Sequence, residues 1–442
     1  MSHKTLIIGG GPAGLAAAFW RRQQEPDTDL VVLEASAHPG GWVRTERRDG
    51  YLCELGPQAV RPSPELDALV AALGIQEALR PASPSAKTRW VGRNGRLMAV
   101  PTKPLGMLTT RLLSWPAKLR VLKEKRIPAL DRTANPRESV HDFVARRFGE
   151  RTTPLVQAMV SGIFAGSADR LEVASAFGML VDLEREHGSV LRGLGQRRKA
   201  AAGGPKKQTA ALYSLQGGMG TLTDRLAEDL GDRLVCDAPV ESLEQAGSQF
   251  TARLGDGSTH SADEVVLACP ARASAQLLAE SAPDLAAELR GIPFASLASV
   301  YLGFATSNLP AKMRGFGFLL EPRTDTPVLG AIYCSDLFPD HAPAGKQLVR
   351  VMLGGVQHPE AAALDDERLV EVATSALRQH TGLKAEVSFQ HVQRAMQAIP
   401  QYEPGHGERL QRIDRLLEDL PGLSLRGNSY RGIALAAQLG QE

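Results

Sequence analysis

The first glycines of the chain have a spacing that can bind phosphate. Gly9, Gly11 and Gly14 form a GxGxxG motif directly after the apolar run 6–8. In such a motif one glycine makes a tight turn, one admits a pyrophosphate to the backbone, and one lets a helix pack on a strand. The N–H groups at the start of that helix then face the phosphate charge. The predicted cradle consists of Gly9, Gly10, Gly11, Pro12, Ala13 and Gly14.

An acidic residue stands where a dinucleotide site needs one. The second apolar run, 30–33, ends at Glu34, twenty positions after Gly14. A carboxylate there accepts hydrogen bonds from ribose hydroxyls and repels a 2′-phosphate, which disfavours NADP and leaves NAD and FAD. Ala35 and then a glycine pair, Gly40 and Gly41, follow, with Arg44 three positions later. A second close backbone approach beside a cation favours the flavin dinucleotide.

The elements around these residues read as strand, helix, strand, which is the start of a parallel α/β sheet. The length of 442 residues allows about two to three domains. Hydrophobic residues make up 43% and charged residues 23%, so a buried core is expected and general disorder is excluded. A net charge of +2 gives no reason to expect nucleic acid as a partner.

The cysteines and the N-terminus indicate a reducing compartment. The four cysteines are far apart, which fits neither a zinc site nor a disulfide scaffold, and we predict no metal. No basic and apolar leader precedes residue 5, so we expect no signal peptide. The uncharged stretches 152–168 and 291–311 carry too many polar, glycine or proline residues for membrane spans. These features predict a cytoplasmic protein.

Further motifs resemble one family. The chain is similar to the FAD-containing amine-oxidase and protoporphyrinogen-oxidase superfamily and, within it, to the oxygen-dependent protoporphyrinogen oxidases. The segments that carry the resemblance occur in the family's order: 40–44, 54–57, 162–166, 171–177, 184–187, 315–319, 352–355, 399–402 and 427–432. They cover nearly the whole chain. Trp42 stands where amine oxidases usually have arginine.

The resemblance implies an α/β (α+β) fold built from discontinuous domains. A dinucleotide-binding FAD domain would comprise 1–80, 208–291 and 409–442. A mixed-sheet substrate domain would comprise 81–101 and 292–408. Residues 102–207 would form a helical insertion that faces the membrane.

The implied reaction is the six-electron oxidation of protoporphyrinogen IX to protoporphyrin IX, with O2 as acceptor and H2O2 as by-product. One non-covalent FAD per chain would perform it at its N5 atom, so no catalytic side chain is predicted. By resemblance Arg89 pairs with a propionate, the Gly162 carbonyl faces the pyrrole N–H groups, and Phe316, Leu319 and Met352 clamp the macrocycle. The implied cofactor contacts are Gly9, Gly10, Gly11, Pro12, Ala13, Gly14, Glu34, Ala35, Gly41, Trp42, Arg44, Gly56, Pro57, Gln58, Ala59, Val240, Ile433, Ala434 and Leu435.

Residues 103–132 carry a basic surplus. Eight lysines and arginines stand against Glu124 and Asp131, with apolar residues between them. Such a segment can lie on the inner face of the cell membrane, apolar side down, or be a solvated helix face; both interpretations stay open. The family also implies a homodimer.

The C-terminus departs from the family's pattern. Where the family runs into a full final helix aimed at the flavin, Leu435 leads directly to the short segment 436–442. A segment this short forms a marginal helix, so we expect weaker FAD binding or lower reactivity. Two alternatives therefore stand beside protoporphyrinogen oxidation. One is the oxidation of coproporphyrinogen III to coproporphyrin III, and the other is a catalytically impaired flavin- or porphyrin-binding homologue.

Overall fold

A computed structural model describes residues 3–93, 95–101, 106, 109–131, 137–202, 212–307, 309–321 and 326–441. Part of the basic segment 103–132, including Lys103 and Arg132, lies outside these residues. The fold is a mixed α/β arrangement of several sheets with helices, which confirms the predicted fold class. The division into three domains stays a prediction.

Strands and helices are numbered along the chain. The strands are β1 Lys4–Ile8, β2 Asp29–Leu33, β3 Thr45–Arg48, β4 Tyr51–Glu54, β5 Leu79–Pro81, β6 Arg89–Arg93, β7 Arg96–Ala99, β8 Tyr213–Leu215, β9 Leu234–Val235, β10 Val240–Ala246, β11 Gln249–Leu254, β12 Thr259–Ala262, β13 Glu264–Leu267, β14 Phe294–Ala305, β15 Gly317–Leu320, β16 Val328–Ile332, β17 Lys346–Gly354, β18 Phe389–Pro400 and β19 Leu423–Leu425. The α-helices are α1 Pro12–Gln24, α2 Pro64–Ala72, α3 Trp115–Leu122, α4 Val140–Phe148, α5 Thr153–Phe164, α6 Val173–Ala176, α7 Gly178–His187, α8 Val190–Ala202, α9 Gly220–Leu230, α10 Ala271–Leu277, α11 Pro283–Arg290, α12 Cys334–Leu337, α13 Asp366–Thr381 and α14 His406–Glu418.

A five-stranded parallel sheet contains the N-terminal motif. Its order is β19-β13-β1-β2-β9, so the strand before the GxGxxG motif lies at the centre. The apolar runs that predicted β1 and β2 are buried, as expected for a parallel sheet covered on both faces. The carboxyl ends of these strands lie at one edge, which brings Gly9 and Glu34 together there. A three-stranded antiparallel sheet, β10-β11-β12, packs nearby.

A seven-stranded mixed sheet forms the second half of the molecule. Its order is β18-β14-β17-β16-β15-β6-β7, and α13 packs on one face. Five neighbouring strands each contribute one residue that lies directly opposite a residue of the adjacent strand. This cross-sheet row consists of Arg89, Gly317, Ile332, Arg350 and Tyr301. Residues that lie directly opposite each other in a sheet point to the same face.

Helices α3 to α8 fold around a buried ionic cluster. Glu124 and Arg147 are completely buried and form an ion pair, and Arg147 also contacts Glu184 at 3.2 Å. The Glu124 carboxylate accepts further hydrogen bonds from Ser189 Oγ and from the Val190 N–H. Each of the two charges therefore has an opposite charge beside it inside the helical part. None of the helices described here is long and apolar enough to span a bilayer.

We predict that Arg147→Met destabilises the helical part strongly. The substitution leaves the carboxylate of Glu124 buried without its cation, and breaking one side of a buried pair costs about 3–5 kcal/mol. The free energy of unfolding is measured by urea titration, and hydrogen exchange then localises the loss to α3–α8. Arg185→Met is the matched control, because the side chain of Arg185 is 72% exposed and its loss is expected to cost under about 0.5 kcal/mol. Equal effects of the two substitutions would contradict the prediction.

Candidate functional site

One large cavity lies between the two main sheets. Its volume is about 880 Å³, near the upper end of the usual range for ligand pockets. The carboxyl edge of the five-stranded sheet forms one wall, and one face of the seven-stranded sheet forms the other. Sixteen of the predicted site residues line it: Gly9, Gly11, Pro12, Ala13, Glu34, Ala35, Gly41, Trp42, Gly56, Pro57, Gln58, Gly162, Val240, Met352, Ile433 and Leu435.

The glycine motif has the geometry of a phosphate cradle. Gly9 adopts a φ of +112°, and a Cβ on Gly14 would stand 2.0 Å from the Gly9 carbonyl oxygen, so the helix packs very closely on the strand. A Cβ on Gly11, by contrast, would meet nothing within 4 Å, because this residue borders the cavity. No side chain caps α1, so its first N–H groups are available to an anion.

Glu34 is held rigidly at the wall beside this cradle. Its Oε2 accepts a hydrogen bond of 2.7 Å from the Gly10 N–H, and its Oε1 accepts bonds from the N–H and hydroxyl of Ser36. A carboxylate oxygen can accept more than one hydrogen bond, so ribose hydroxyls can still be received. Ala35 and Val240 line the same end of the cavity. The residues present therefore fit a bound dinucleotide.

Five predicted cofactor contacts lie outside the cavity wall. Gly10 and Gly14 lie behind this wall. The Gly10 N–H donates a hydrogen bond to Glu34, and Gly14 lets α1 pack closely on the strand. Arg44 is close to Gly40 but is not part of the lining, and Ala59 packs in a small apolar cluster with Ala86 and Phe338. The fifth, Ala434, lies between two residues that do line the cavity.

The chain segment 54–56 joins the two walls. The Glu54 carboxylate accepts hydrogen bonds from Thr45 Oγ1 at 2.7 Å and from the Met219 N–H at 2.8 Å. Its carbonyl accepts a bond from the Tyr301 hydroxyl on the opposite sheet. Burial raises the pKa of Glu54 to about 7, although the two hydrogen bonds to its carboxylate work against this rise.

Gln58 follows on the cavity wall with its amide fixed from behind. Its Nε2 lies 3.1 Å from His341 Nδ1, and its Oε1 accepts a hydrogen bond from the Cys334 thiol. Burial lowers the pKa of His341 to about 4, so this ring is neutral near pH 7 and Nδ1 can accept the amide proton. Gln58 is thereby locked in one orientation at the predicted junction of flavin and substrate.

The predicted substrate residues form two groups. Gly162, in α5, and Met352, in β17, line the cavity. Leu319 packs against Gly162, where an added Cβ would stand 2.5 Å from Leu319 Cδ2, so glycine permits this close contact. Arg89 and Phe316 form the second group, with the guanidinium 5.1 Å from the ring centroid. Phe316 packs with Ile332, which does line the cavity and so connects the groups.

Arg89 has a second cation beside it. Partial burial and the charge of Arg61 lower the pKa of Arg89. Arg61 and the part of Arg89 that is not buried are accessible to solvent, so an anionic group can reach both residues. Arg61 was not among the predicted site residues.

The sequence interpretation also missed Arg350, which lies in the cavity wall with Ile332 and Leu297. A signal for it was present. Arg350 is two positions before Met352 in the run 348–353, whose other residues are apolar, and residues two apart in a strand share a face. A charged residue on the face predicted to contact substrate was therefore detectable.

The C-terminal residues form one short turn. Leu435–Gln438 is a 3₁₀ turn in place of the α-helix of the family pattern. It is anchored to α1, because Leu439 is fully buried and its carbonyl accepts a hydrogen bond of 2.8 Å from Trp20 Nε1. Ile433 and Leu435 reach the cavity wall from this turn.

Comparison with known proteins identifies relatives along the whole chain. The chain is 34% identical over 471 residues to the protoporphyrinogen oxidases of Bos taurus and Homo sapiens, covering 98% of this chain and 96% of each relative. It is 28% identical over 446 residues to the coproporphyrinogen III oxidase of Bacillus subtilis, covering 97% of this chain and 94% of the relative.

A solved structure and a family model also match most of the chain. A crystal structure from Exiguobacterium sp. 255-15, assigned as a protoporphyrinogen oxidase, superposes with a TM-score of 0.83 at 25% identity. The superposition covers 99% of this chain and 96% of that one. The model of the flavin containing amine oxidoreductases matches residues 12–432. The chain therefore belongs to the flavin containing amine oxidoreductase family, and it is a flavin-dependent oxidoreductase.

Proposed function

We propose that this enzyme uses non-covalent FAD and O2 to oxidise protoporphyrinogen IX to protoporphyrin IX. The observation that carries the proposal is the shared cavity, in which the predicted phosphate cradle and Glu34 occupy one space with Gly162 and Met352. A dinucleotide at one end would thus meet a substrate at the other. The family and the names of the relatives at 34% identity support the same reaction.

FAD is the flavin that the site favours. Glu34 and the backbone from Gly9 to Ala13 suit an adenosine ribose and a pyrophosphate. FMN has neither group, because it ends in a single phosphate. When bound, FAD would accept two electrons per cycle, and three cycles with three O2 would yield protoporphyrin IX and three H2O2. The protein's own part would be to hold the substrate in a largely apolar cavity beside the flavin.

Arg89 would hold a propionate of the substrate. A charged tetrapyrrole needs apolar walls and a cation, and the cross-sheet row starts with Arg89 and continues with Gly317 and Ile332. The exposed guanidinium lies at the outer end of this row. The macrocycle would therefore lie along the row, with its carboxylates outward.

Coproporphyrinogen III is the second candidate substrate. It carries four propionates, and the proximity of Arg61 to Arg89 gives this end two cations for them. The Bacillus subtilis relative, which is named for this substrate, supports the same alternative. The ratio of kcat/KM for the two porphyrinogens decides between them.

Helix α3 is the proposed membrane contact. Its apolar residues Trp115, Leu119 and Leu122 are 65%, 57% and 59% exposed and follow helical spacing along one face. Exposed Lys123, Lys125 and Arg126 continue from its end. An apolar stripe beside basic residues suits the surface of an anionic bilayer, which would be the inner face of the cell membrane. The homodimer implied by the family stays a prediction.

We predict that the purified protein carries oxidised FAD, which acid precipitation releases unchanged into the supernatant. Anaerobic mixing with protoporphyrinogen IX should bleach the flavin absorbance, and air should restore it while porphyrin fluorescence and H2O2 appear. Glu34→Ala should lower the FAD content, because hydrogen bonds to a charged group contribute about 1.5–3 kcal/mol. Exposed Glu244→Ala is the control. Bound FAD without turnover would support the impaired homologue instead.

For Arg89→Met we expect the KM for protoporphyrinogen IX to rise by about tenfold to hundredfold at a similar kcat. The variant loses a charge-assisted hydrogen bond to a carboxylate, which contributes about 1.5–3 kcal/mol. With the dimethyl ester of the substrate, wild type and variant should have the same KM. Arg96→Met, an exposed change on the neighbouring β7, should leave both values unchanged. A similar loss with acid and ester would refute the role of Arg89.

Co-sedimentation with vesicles tests the membrane contact. We expect wild-type protein to pellet with vesicles of phosphatidylserine and phosphatidylcholine at low salt, and less at high salt, because the basic residues are screened. The double variant Trp115→Ser, Leu119→Ser should stay in the supernatant. Met396→Ser is the control, since Met396 is an exposed apolar residue elsewhere, at 48% exposure. Binding that is unaffected by the double change would exclude α3.

A further inference from the structure

A buried arginine stands in the cavity wall, and among the residues that the structure describes it has no ion-pair partner. Arg350 is 5% exposed and lies in β17, two positions before Met352 on the same face. Its Nη1 donates a hydrogen bond of 2.6 Å to the Gly56 carbonyl, and its Nε donates one of 2.9 Å to Ser299 Oγ. The guanidinium carbon lies 5.5 Å from the centroid of the Tyr301 ring. All these partners are electrically neutral.

No carboxylate of the described residues lies within 4.0 Å of this guanidinium. The acidic groups in its electrostatic surroundings are Glu54, Tyr301, Cys53 and Cys334. Burial raises the pKa of Tyr301 and of both thiols far above neutrality, so these three are uncharged. Burial also raises the pKa of Glu54 to about 7, so its carboxylate offers only part of a negative charge.

A buried cation of this kind needs a counter-charge. Removing an ion from water costs several kcal/mol unless an opposite charge or a full set of hydrogen bonds replaces the solvent. Here the protein supplies a carbonyl and a hydroxyl, and the remaining side of the wall faces the cavity. The missing negative charge is therefore expected on a molecule that binds in the cavity.

The position of Arg350 selects the kind of molecule. Arg89 and Arg350 belong to the same cross-sheet row, with Gly317 and Ile332 between them. Three strand spacings separate the two cations, which is roughly 14 Å. Arg89 is at the exposed outer end, whereas Arg350 binds the backbone of Gly56, next to the cofactor contacts Pro57 and Gln58. The two cations therefore serve different ligands.

We propose that Arg350 supplies the positive charge that stabilises negative charge on a flavin bound beside Gly56, Pro57 and Gln58. The inference rests on the proposed flavin site, but not on the identity of the porphyrinogen. Ser299 and the Gly56 carbonyl are its positioning partners, since they hold the guanidinium against the wall. Arg350 thereby favours the reduced, more negative state of the cofactor over the oxidised state.

Sulfite binding tests the proposal without any porphyrinogen. Sulfite adds to oxidised flavin and leaves a negatively charged adduct, whose loss of absorbance gives a dissociation constant. Arg350→Met should raise this constant by about tenfold or more, as expected for the loss of a nearby charge in a low-dielectric site. The two-electron midpoint potential should fall by about 30 mV for each tenfold change. Arg350→Lys keeps the charge and should restore most of both values.

Arg89→Met is the matched control, because it removes the other cation of the same row. Arg89→Met should leave the sulfite dissociation constant unchanged while raising the KM for porphyrinogen. Arg350→Met should raise the sulfite dissociation constant while leaving that KM unchanged. A flavin-loaded Arg350→Met protein with unchanged sulfite binding and potential but a raised KM would overturn the proposal and assign Arg350 to a substrate carboxylate. Equal losses in the methionine and lysine variants would also overturn it, because the effect would then come from shape.

These readouts separate two kinds of failure. A wild-type protein that binds sulfite through Arg350 but oxidises no porphyrinogen would refute the proposed function and retain this inference. If Arg350→Met does not fold, Ser299→Ala provides the second variant. It removes one anchor of the guanidinium and should weaken sulfite binding by about threefold with no change in the content of FAD, and an unchanged constant would count against the proposal.

Discussion

The buried backbone at 54–56 is the constraint on which the site depends. Its hydrogen bonds connect the start of α9 to strands β14 and β17 of the seven-stranded sheet. The Glu54 carboxylate accepts a hydrogen bond from the Met219 N–H at the start of α9, and the Glu54 carbonyl accepts one from the Tyr301 hydroxyl. Two residues further on, the Gly56 carbonyl accepts a hydrogen bond from Arg350. Each bond is shielded from water, so the loss of one leaves a buried polar group unpaired. The spacing of the two cavity walls follows from these bonds.

The two ends of the cavity differ in the interactions that they offer to a ligand. At the proposed cradle, backbone N–H groups and one carboxylate border the cavity, and the glycines are required because side chains would fill the space or collide. At the other end, a sheet face that includes Gly317 and Ile332 lies inward of the Arg89 guanidinium, and Arg350 stands beyond it, next to the predicted flavin contacts at 56–58. The first end offers hydrogen-bonding groups to a ligand, and the second offers apolar surface with one cation at its outer limit. A dinucleotide cofactor likewise presents many hydrogen-bonding groups, whereas a tetrapyrrole substrate presents a large apolar face with carboxylates at its edge.

Local patterns carried most of what the sequence could predict. The cradle from Gly9 to Gly14, with Glu34, could be predicted because its spacing lies within one strand–helix–strand unit, where local geometry decides the outcome. Arg350 left a local signal, its alternation with Met352 in β17, which was not used. Arg61 was missed because its proximity to Arg89 arises from the tertiary fold and not from a local pattern. The ion pair of Glu124 and Arg147 was missed for the same reason. The segment 103–132 was interpreted by its charge, although Glu124 is fully buried.

The alternation of β17 limits how this protein can change in evolution. Arg350 and Met352 face the cavity, whereas Val349 and Val351 pack toward α13. A one-residue insertion or deletion between Pro343 and Lys346 that shifted the strand would exchange the two faces. Valines would then line the cavity, and the arginine would enter an apolar core. Substitutions along this strand can be selected one at a time, but a change of length there would remove the proposed roles of Arg350 and Met352 in a single step.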